Sequence, residues 1–136
     1  MEWKVGDKMY TQTIADSVRG KQLTPEQLWE AAHVAGHAAA EACRPVPMRI
    51  WAEGGGQVWN VPDGVCGFAE VRFPGNTAFG RAMKKAGIAR PTGRGGLYVW
   101  VSDYGQSLAR KEAYARAAAE VLVAGGVKAW AESRMD

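Results

Sequence analysis

The chain has 136 residues, of which 47% are hydrophobic and 23% are charged, values typical of a single folded domain. This composition excludes a disordered or collagen-like chain, and no apolar run reaches the roughly 18 residues that a membrane-spanning helix needs. Residues 1–10 mix charged with apolar side chains, so we expect no signal peptide. Cys43 and Cys66 form no C-x-x-C pair and are expected to be small buried thiols.

The net charge of +3 is unevenly distributed along the chain. Residues 1–70 hold six Lys or Arg against nine Asp or Glu, and residues 117–136 hold two against three. Residues 71–116 hold nine against two, a local net charge of +7. The middle of the chain is therefore strongly basic, and a basic segment favours an anionic partner.

Residues 1–23 show weak periodicity. They are predicted to form an N-terminal extension with a short strand at residues 8–13. A single domain is predicted over residues 24–136. Its clearest element is a helix from Pro25 to Cys43, which opens with a capping box whose cap is Thr24.

The rest of the domain alternates between strands and helices. Strands are predicted at residues 48–52, 57–61, 65–73, 97–101 and 127–131, and helices at residues 77–86 and 108–124. The order α-β-(β)-β-α-β-α-β indicates an α+β fold with an α/β-like C-terminal half. Because strands and helices alternate there, we expect a mixed sheet of four or five strands with some parallel pairing and with helices packed on it.

The basic segment is the first candidate site. Arg81, Lys84 and Lys85 lie at i, i+3 and i+4 and share one helix face, and a glycine-rich loop follows. A positive stripe beside free backbone N–H groups attracts phosphate, and neighbouring aromatic rings can stack on unpaired bases. The alternative is a solvated helix face beside a soluble loop. The predicted binding residues are Arg72, Arg81, Lys84, Lys85, Arg90, Arg94, Tyr98 and Trp100.

A second candidate lies on the first helix. Glu30, His33, His37 and Glu41 fall within about 80° of one another on a helical projection, which suits a divalent metal. An isolated H-x-x-x-H is a weak signal, and the zinc-protease pattern has Glu where Val34 stands. The alternative is a polar face that binds zinc adventitiously, so no cofactor is expected.

A third candidate is the turn at residues 102–107, between a strand and a helix N-terminus. Anions and nucleotides bind at such positions in α/β folds. The simpler interpretation is that Ser107 caps the helix. Six tryptophans occur in the chain, and we expect most of them to be buried or half-buried, with any exposed ones marking an interface.

Three runs in the C-terminal half resemble a group of small tailed-bacteriophage proteins to which no activity is assigned. They are residues 63–69 (DGVCGFA), 75–79 (GNTAF) and 95–101 (GGLYVWV), and the resemblance extends over about residues 63–136. It implies a phage or prophage origin and action in the host bacterial cytoplasm. It supplies no catalytic residues.

Together these observations predict a small phage-encoded accessory protein. We expect it to be non-enzymatic and to bind nucleic acid, or a host nucleoprotein or defence complex, through the basic surface. A metal-binding protein or metal-dependent enzyme on the His33/His37 face and a nucleotide binder at the strand ends are the alternatives. The alanine-rich first helix would also suit a homodimer interface.

Overall fold

The structure is a computed structural model that describes residues 8–51, 54–55 and 58–136, except for the side chain of Val58. The expectation about a signal peptide therefore falls largely outside the described residues, as do the last residue of the strand predicted at 48–52 and the first of that at 57–61. The elements are α1 (Lys8–Val18), α2 (Pro25–Ala42), β1 (Met48–Trp51), β2 (Val58–Val61), β3 (Gly67–Phe73), α3 (Ala78–Lys85), β4 (Arg90–Pro91), β5 (Leu97–Trp100), α4 (Leu108–Ala124) and β6 (Trp130–Met135).

The start of α2 confirms the predicted capping box. The Thr24 hydroxyl accepts a hydrogen bond from the Gln27 backbone N–H at 3.1 Å, and the Gln27 side-chain oxygen accepts one from the Thr24 N–H at 2.9 Å. Two backbone donors that have no intrahelical partner are thereby satisfied. The helix ends at Ala42, one residue before the predicted end.

The strand predicted at residues 8–13 is wrong, because this segment begins the helix α1. Its buried residues Thr11, Ala15 and Val18 follow one another at intervals of four and three, which is the helical period. This stripe packs against α2 and α4, and Ala15 and Val18 belong to the hydrophobic core.

The strands form two antiparallel sheets. A four-stranded sheet has the order β4-β5-β3-β6, and β1 and β2 pair as a separate hairpin. The α+β class is confirmed, whereas the expected parallel pairing is wrong for the described strands, which all pair antiparallel. The crossover through α4 does make β5 and β6 parallel to each other, but β3 lies between them.

One face of the four-stranded sheet packs on the helices. Ala69, Val71 and Phe73 of β3 are fully buried there, and the Phe73 ring meets Phe79 of α3 edge-on with ring centroids 5.0 Å apart. Helix α4 lies between the sheet and the two N-terminal helices. The core is thus on one side of the sheet, and the alternate residues of each strand point to the other side.

The last strand starts later than predicted, at Trp130 instead of Val127. The Val127 N–H bonds to the Leu122 carbonyl, and the positive φ of 89° at Gly126 makes this turn the closure of α4. Cys66 is exposed and Cys43 half-buried, so the expected burial of both thiols is wrong; both are free. No helix in the described ranges is long and apolar enough to cross a membrane.

Candidate functional site

Strand register defines the composition of the uncovered sheet face, because residues directly opposite one another point to the same side. One row consists of Arg90, Tyr98, Arg72 and Trp130 on four successive strands. The next row consists of Trp100, Glu70 and Glu132, and the third pairs Phe68 with Arg134. We call these nine residues, together with Arg94 in the β4–β5 loop, the outer face.

Four of the ten residues of the outer face are aromatic. Trp100 and Trp130 are 42% and 40% exposed, and Phe68 and Tyr98 are half-buried. The rings of Phe68 and Trp100 lie with centroids 5.2 Å apart. The expectation that most tryptophans are buried or half-buried is wrong for the described residues, where four of the five are exposed.

An ion-pair network occupies the middle of the outer face. Arg72 donates from Nη2 to Glu70 Oε1 at 3.0 Å, and its Nη1 lies 3.4 Å from Glu132 Oε1. Glu132 Oε1 also accepts from the Trp130 indole N–H at 3.1 Å. Because two carboxylates neutralise Arg72, this residue orders the face and is a weak candidate for contacting phosphate.

The rim of the outer face carries the available positive charge. Arg90 and Arg94 are exposed, and neither they nor Arg134 takes part in a salt bridge among the residues that the structure describes. The Arg134 guanidinium lies 5.6 Å from the centre of the Phe68 ring. The buried Lys111 ammonium lies 5.5 Å from the same ring and donates to the Gly67 carbonyl. Phe68 is therefore in cation–π contact with two side chains.

A cleft of about 220 Å³ opens at the centre of the outer face. Its lining brings together an aromatic wall, both glutamates and three arginines. The residues are Phe68, Ala69, Glu70, Arg72, Arg94, Trp100, Glu132, Ser133 and Arg134. A flat ring that enters this cleft contacts aromatic surfaces together with hydrogen-bond donors and acceptors.

The structure divides the predicted binding residues into two groups. Arg72, Arg90, Arg94, Tyr98 and Trp100 belong to the outer face. The other three, Arg81, Lys84 and Lys85, are exposed on α3, which packs against the opposite face of the sheet through Phe79. A single surface that contains all eight residues is therefore not formed.

The predicted metal residues are on one side of α2, and all four are exposed. The imidazoles of His33 and His37 stack with centroids 6.3 Å apart, and His37 Nε2 lies 3.9 Å from Glu41. No group of three His, Cys, Asp or Glu able to hold a metal ion occurs among the described residues. The metal site thus stays a prediction.

Each imidazole instead contacts a tyrosine. His33 Nδ1 lies 2.6 Å from the Tyr114 hydroxyl, and His37 Nδ1 lies 2.8 Å from that of Tyr104. Burial, reinforced by nearby negative charge, raises the pKa of Tyr104 to about 12. Burial also raises the pKa of Tyr114 well above its usual value. Both hydroxyls therefore keep their protons at neutral pH.

The turn at residues 102–107 is held mainly by structural contacts. The Ser107 hydroxyl accepts from the Arg110 N–H at 3.3 Å and donates to the Asp63 carbonyl at 3.0 Å, which confirms its capping role. The Leu108 N–H bonds to the Val65 carbonyl. The backbone N–H groups of Leu108 and Arg110, at the start of α4, thus already have partners within the protein. Tyr104 adopts a left-handed conformation with φ of 72°, and this directs the chain from β5 into α4.

Sequence reasoning missed Phe68, Glu70, Trp130, Glu132 and Arg134 as members of the site. A sequence signal for the first two exists, since small or apolar residues occupy every second position of residues 67–73. Aromatic or charged residues occupy the alternate positions, which is typical of a strand with one uncovered face. Glu132 and Arg134 were missed because the predicted strand ended at Ala131, whereas Trp130 lay inside that strand but was not assigned to an exposed face.

Comparison of the chain with protein-family models, with curated proteins and with solved structures finds no match in any of the three. The function must therefore be inferred from the arrangement of side chains. The outer face is the surface of the described structure that combines exposed aromatic rings, a cleft and unpaired arginines.

Proposed function

We propose that this protein binds single-stranded nucleic acid on the outer face of its four-stranded sheet. The observation that carries the proposal is the row pattern of that face. Aromatic rings alternate with arginines across the strands, with Arg90, Tyr98, Arg72 and Trp130 in register. Unpaired bases stack on such rings, and the backbone phosphates of the strand need cations beside them. In this row the exposed Arg90 is the available cation, because Arg72 is held by two carboxylates.

The exposure of the rings supports base stacking. Trp100 and Trp130 leave two-fifths of their surface in water, so a base can reach part of each ring. Stacking is tolerant of sequence because every base has a π-face, and each stacked base contributes about 1–3 kcal/mol. A base on Trp100 would also lie beside Phe68, whose ring centroid is 5.2 Å away.

The distribution of charge also supports the binding of a single strand. Arg90, Arg94 and Arg134 lie around the aromatic centre, whereas the two glutamates are engaged by Arg72. A strand whose bases cover the centre would therefore carry its phosphates along the rim. A duplex hides the faces of its bases, so it would gain only the electrostatic part of this binding.

In this proposal the protein acts in the cytoplasm of an infected bacterium, as the resemblance to tailed-bacteriophage proteins implies. It is an accessory protein without an enzymatic activity of its own. A host nucleoprotein or defence complex is the alternative target, since exposed tryptophan, tyrosine and arginine are also the residues that dominate protein interfaces.

The proposal is tested by fluorescence anisotropy with labelled single- and double-stranded RNA and DNA of equal length, over a range of salt concentrations. Two triple variants each remove three positive charges. One is Arg90→Ala/Arg94→Ala/Arg134→Ala on the outer face. The other is Arg81→Ala/Lys84→Ala/Lys85→Ala on α3, and it is the matched control for nonspecific attraction.

We expect single strands to bind more tightly than duplexes. The outer-face variant should weaken this binding and reduce the salt slope by about 2, from about 0.7 for each lost phosphate contact on a single strand. The α3 variant should keep most of the affinity. Loss of binding only in the α3 variant would assign the site to the helix, and no binding to any nucleic acid at low salt would overturn the proposal in favour of a protein partner.

A further inference from the structure

The cleft in the outer face contains charged hydrogen-bonding groups that base stacking alone does not require. Glu70 and Arg72 lie against each other with only 18% and 30% of their side chains exposed. The Nε of Arg72 is buried and has no hydrogen-bond partner among the described residues. Glu132 approaches the same guanidinium from β6. A donor and two acceptors of hydrogen bonds therefore converge beside the Trp100 ring.

Shielding from water makes such groups selective. A site built to hydrogen-bond a ligand rejects a ligand that lacks the matching atoms, because buried polar groups are then left unpaired. Carboxylates accept hydrogen bonds and an arginine donates them. The cleft therefore favours a base whose edge has two neighbouring donors next to an acceptor.

Guanine has this pattern on its Watson–Crick edge. Its N1–H and N2–H₂ groups are adjacent donors, and its O6 is an acceptor. Uracil has one donor between two acceptors. Adenine and cytosine each have a single amino donor beside acceptor nitrogen or oxygen. A carboxylate in the cleft can form paired hydrogen bonds with guanine and with none of the other three bases.

We propose that this cleft selects an unpaired guanine, and this inference rests on the proposed single-strand binding. The base stacks on Trp100, and the carboxylate of Glu70 accepts from N1–H and N2–H₂. Arg72 donates to O6 while Glu132 holds the guanidinium. The protein would then recognise single strands that contain guanine, in addition to stacking on bases of any sequence.

The first experiment deletes atoms from the ligand, so that folding of the protein is unaffected. Anisotropy titrations compare the heptamers UUUGUUU, UUUAUUU, UUUCUUU and UUUUUUU with one that carries inosine, which lacks the N2 amino group, at the centre. We expect the guanine heptamer to bind roughly fivefold to a hundredfold more tightly than the others. Inosine should lose much of this advantage.

The second experiment changes the protein. Glu70→Gln should abolish the preference for guanine, measured as the ratio of the Kd values of the uridine and guanine heptamers. Glu120→Gln, an exposed position on α4, removes the same charge away from the cleft and should keep the preference. Melting curves establish that both variants are folded.

The outcomes separate the two proposals. Equal binding of all the heptamers by the unchanged protein, or a preference for another base, would overturn the selection of guanine while leaving single-strand binding intact. A guanine preference that Glu70→Gln retains would overturn the assignment of that selection to this cleft. If none of the heptamers binds, both proposals fail together.

Discussion

Replacing Trp100 by Ala should weaken single-strand binding while leaving the fold largely intact. Trp100 is 42% exposed, and its ring contact within the outer face is with Phe68, at a centroid distance of 5.2 Å. Loss of that ring contact should lower the free energy of unfolding by about 0.5–1.5 kcal/mol in addition to the effect of the lost buried area. Loss of one stacked base should weaken binding by about 1–3 kcal/mol, which corresponds to a roughly 5-fold to 140-fold increase in Kd.

The assay is anisotropy of a labelled uridine heptamer at fixed low salt, because uridine isolates stacking from the proposed guanine contacts. Trp51→Ala is the matched control, since Trp51 is 69% exposed on the separate β1–β2 hairpin. Its Kd should stay within about twofold of the unchanged protein. If Trp100→Ala binds as tightly as the unchanged protein, or if Trp51→Ala alone loses binding, the outer face is not the stacking surface.

Three further predictions concern the stability of the fold. Gly36→Ala would bring a Cβ within 2.7 Å of the Tyr114 ring. Overpacking that costs about 1–3 kcal/mol should exceed the gain of about 1 kcal/mol in helix propensity, so the Tm should fall. A raised Tm would contradict this close contact of α2 with α4. Ser107→Ala removes both the cap of α4 and the bond to the Asp63 carbonyl, and should lower the free energy of unfolding in urea by about 1–2 kcal/mol. The pKa of Tyr104 rises from 10.0 to about 12 on folding, so between these pH values the folded state binds more protons and stability should fall as pH increases. Tyr104→Phe should show a smaller decline of the urea midpoint across that range, and an identical decline would refute the assignment.

Local sequence signals were enough for the elements whose ends are set by short-range chemistry. The capping box at Thr24 and the capping serine at Ser107 predict where α2 and α4 begin, because a cap and its backbone donors lie within three residues of each other. The α+β class followed from the alternation of such elements. The helix α1 was missed because its buried stripe consists of Thr11, Ala15 and Val18, which are small or weakly apolar.

Strand pairing was beyond local signals. Alternation of strands and helices predicts parallel neighbours, but β3 enters between β5 and β6 and pairs antiparallel with both. Which strand occupies the centre depends on burial of the Val71 and Phe73 side chains against α4 and α3, and these partners are far away in sequence. The turn at Gly126 similarly became the end of α4 instead of the start of a strand.

The sequence by itself determined that the middle of this chain is basic and that aromatic residues accompany the charges, since both follow from the order of the residues. Only the tertiary structure decided which charges act together. Arg81 and Lys84 are close in sequence to Arg90 and Arg94, but they lie on a helix that packs on the opposite face of the sheet. Trp130, Glu132 and Arg134 are distant in sequence and yet join the outer face, because antiparallel pairing with β3 brings alternate residues of β6 into the same rows.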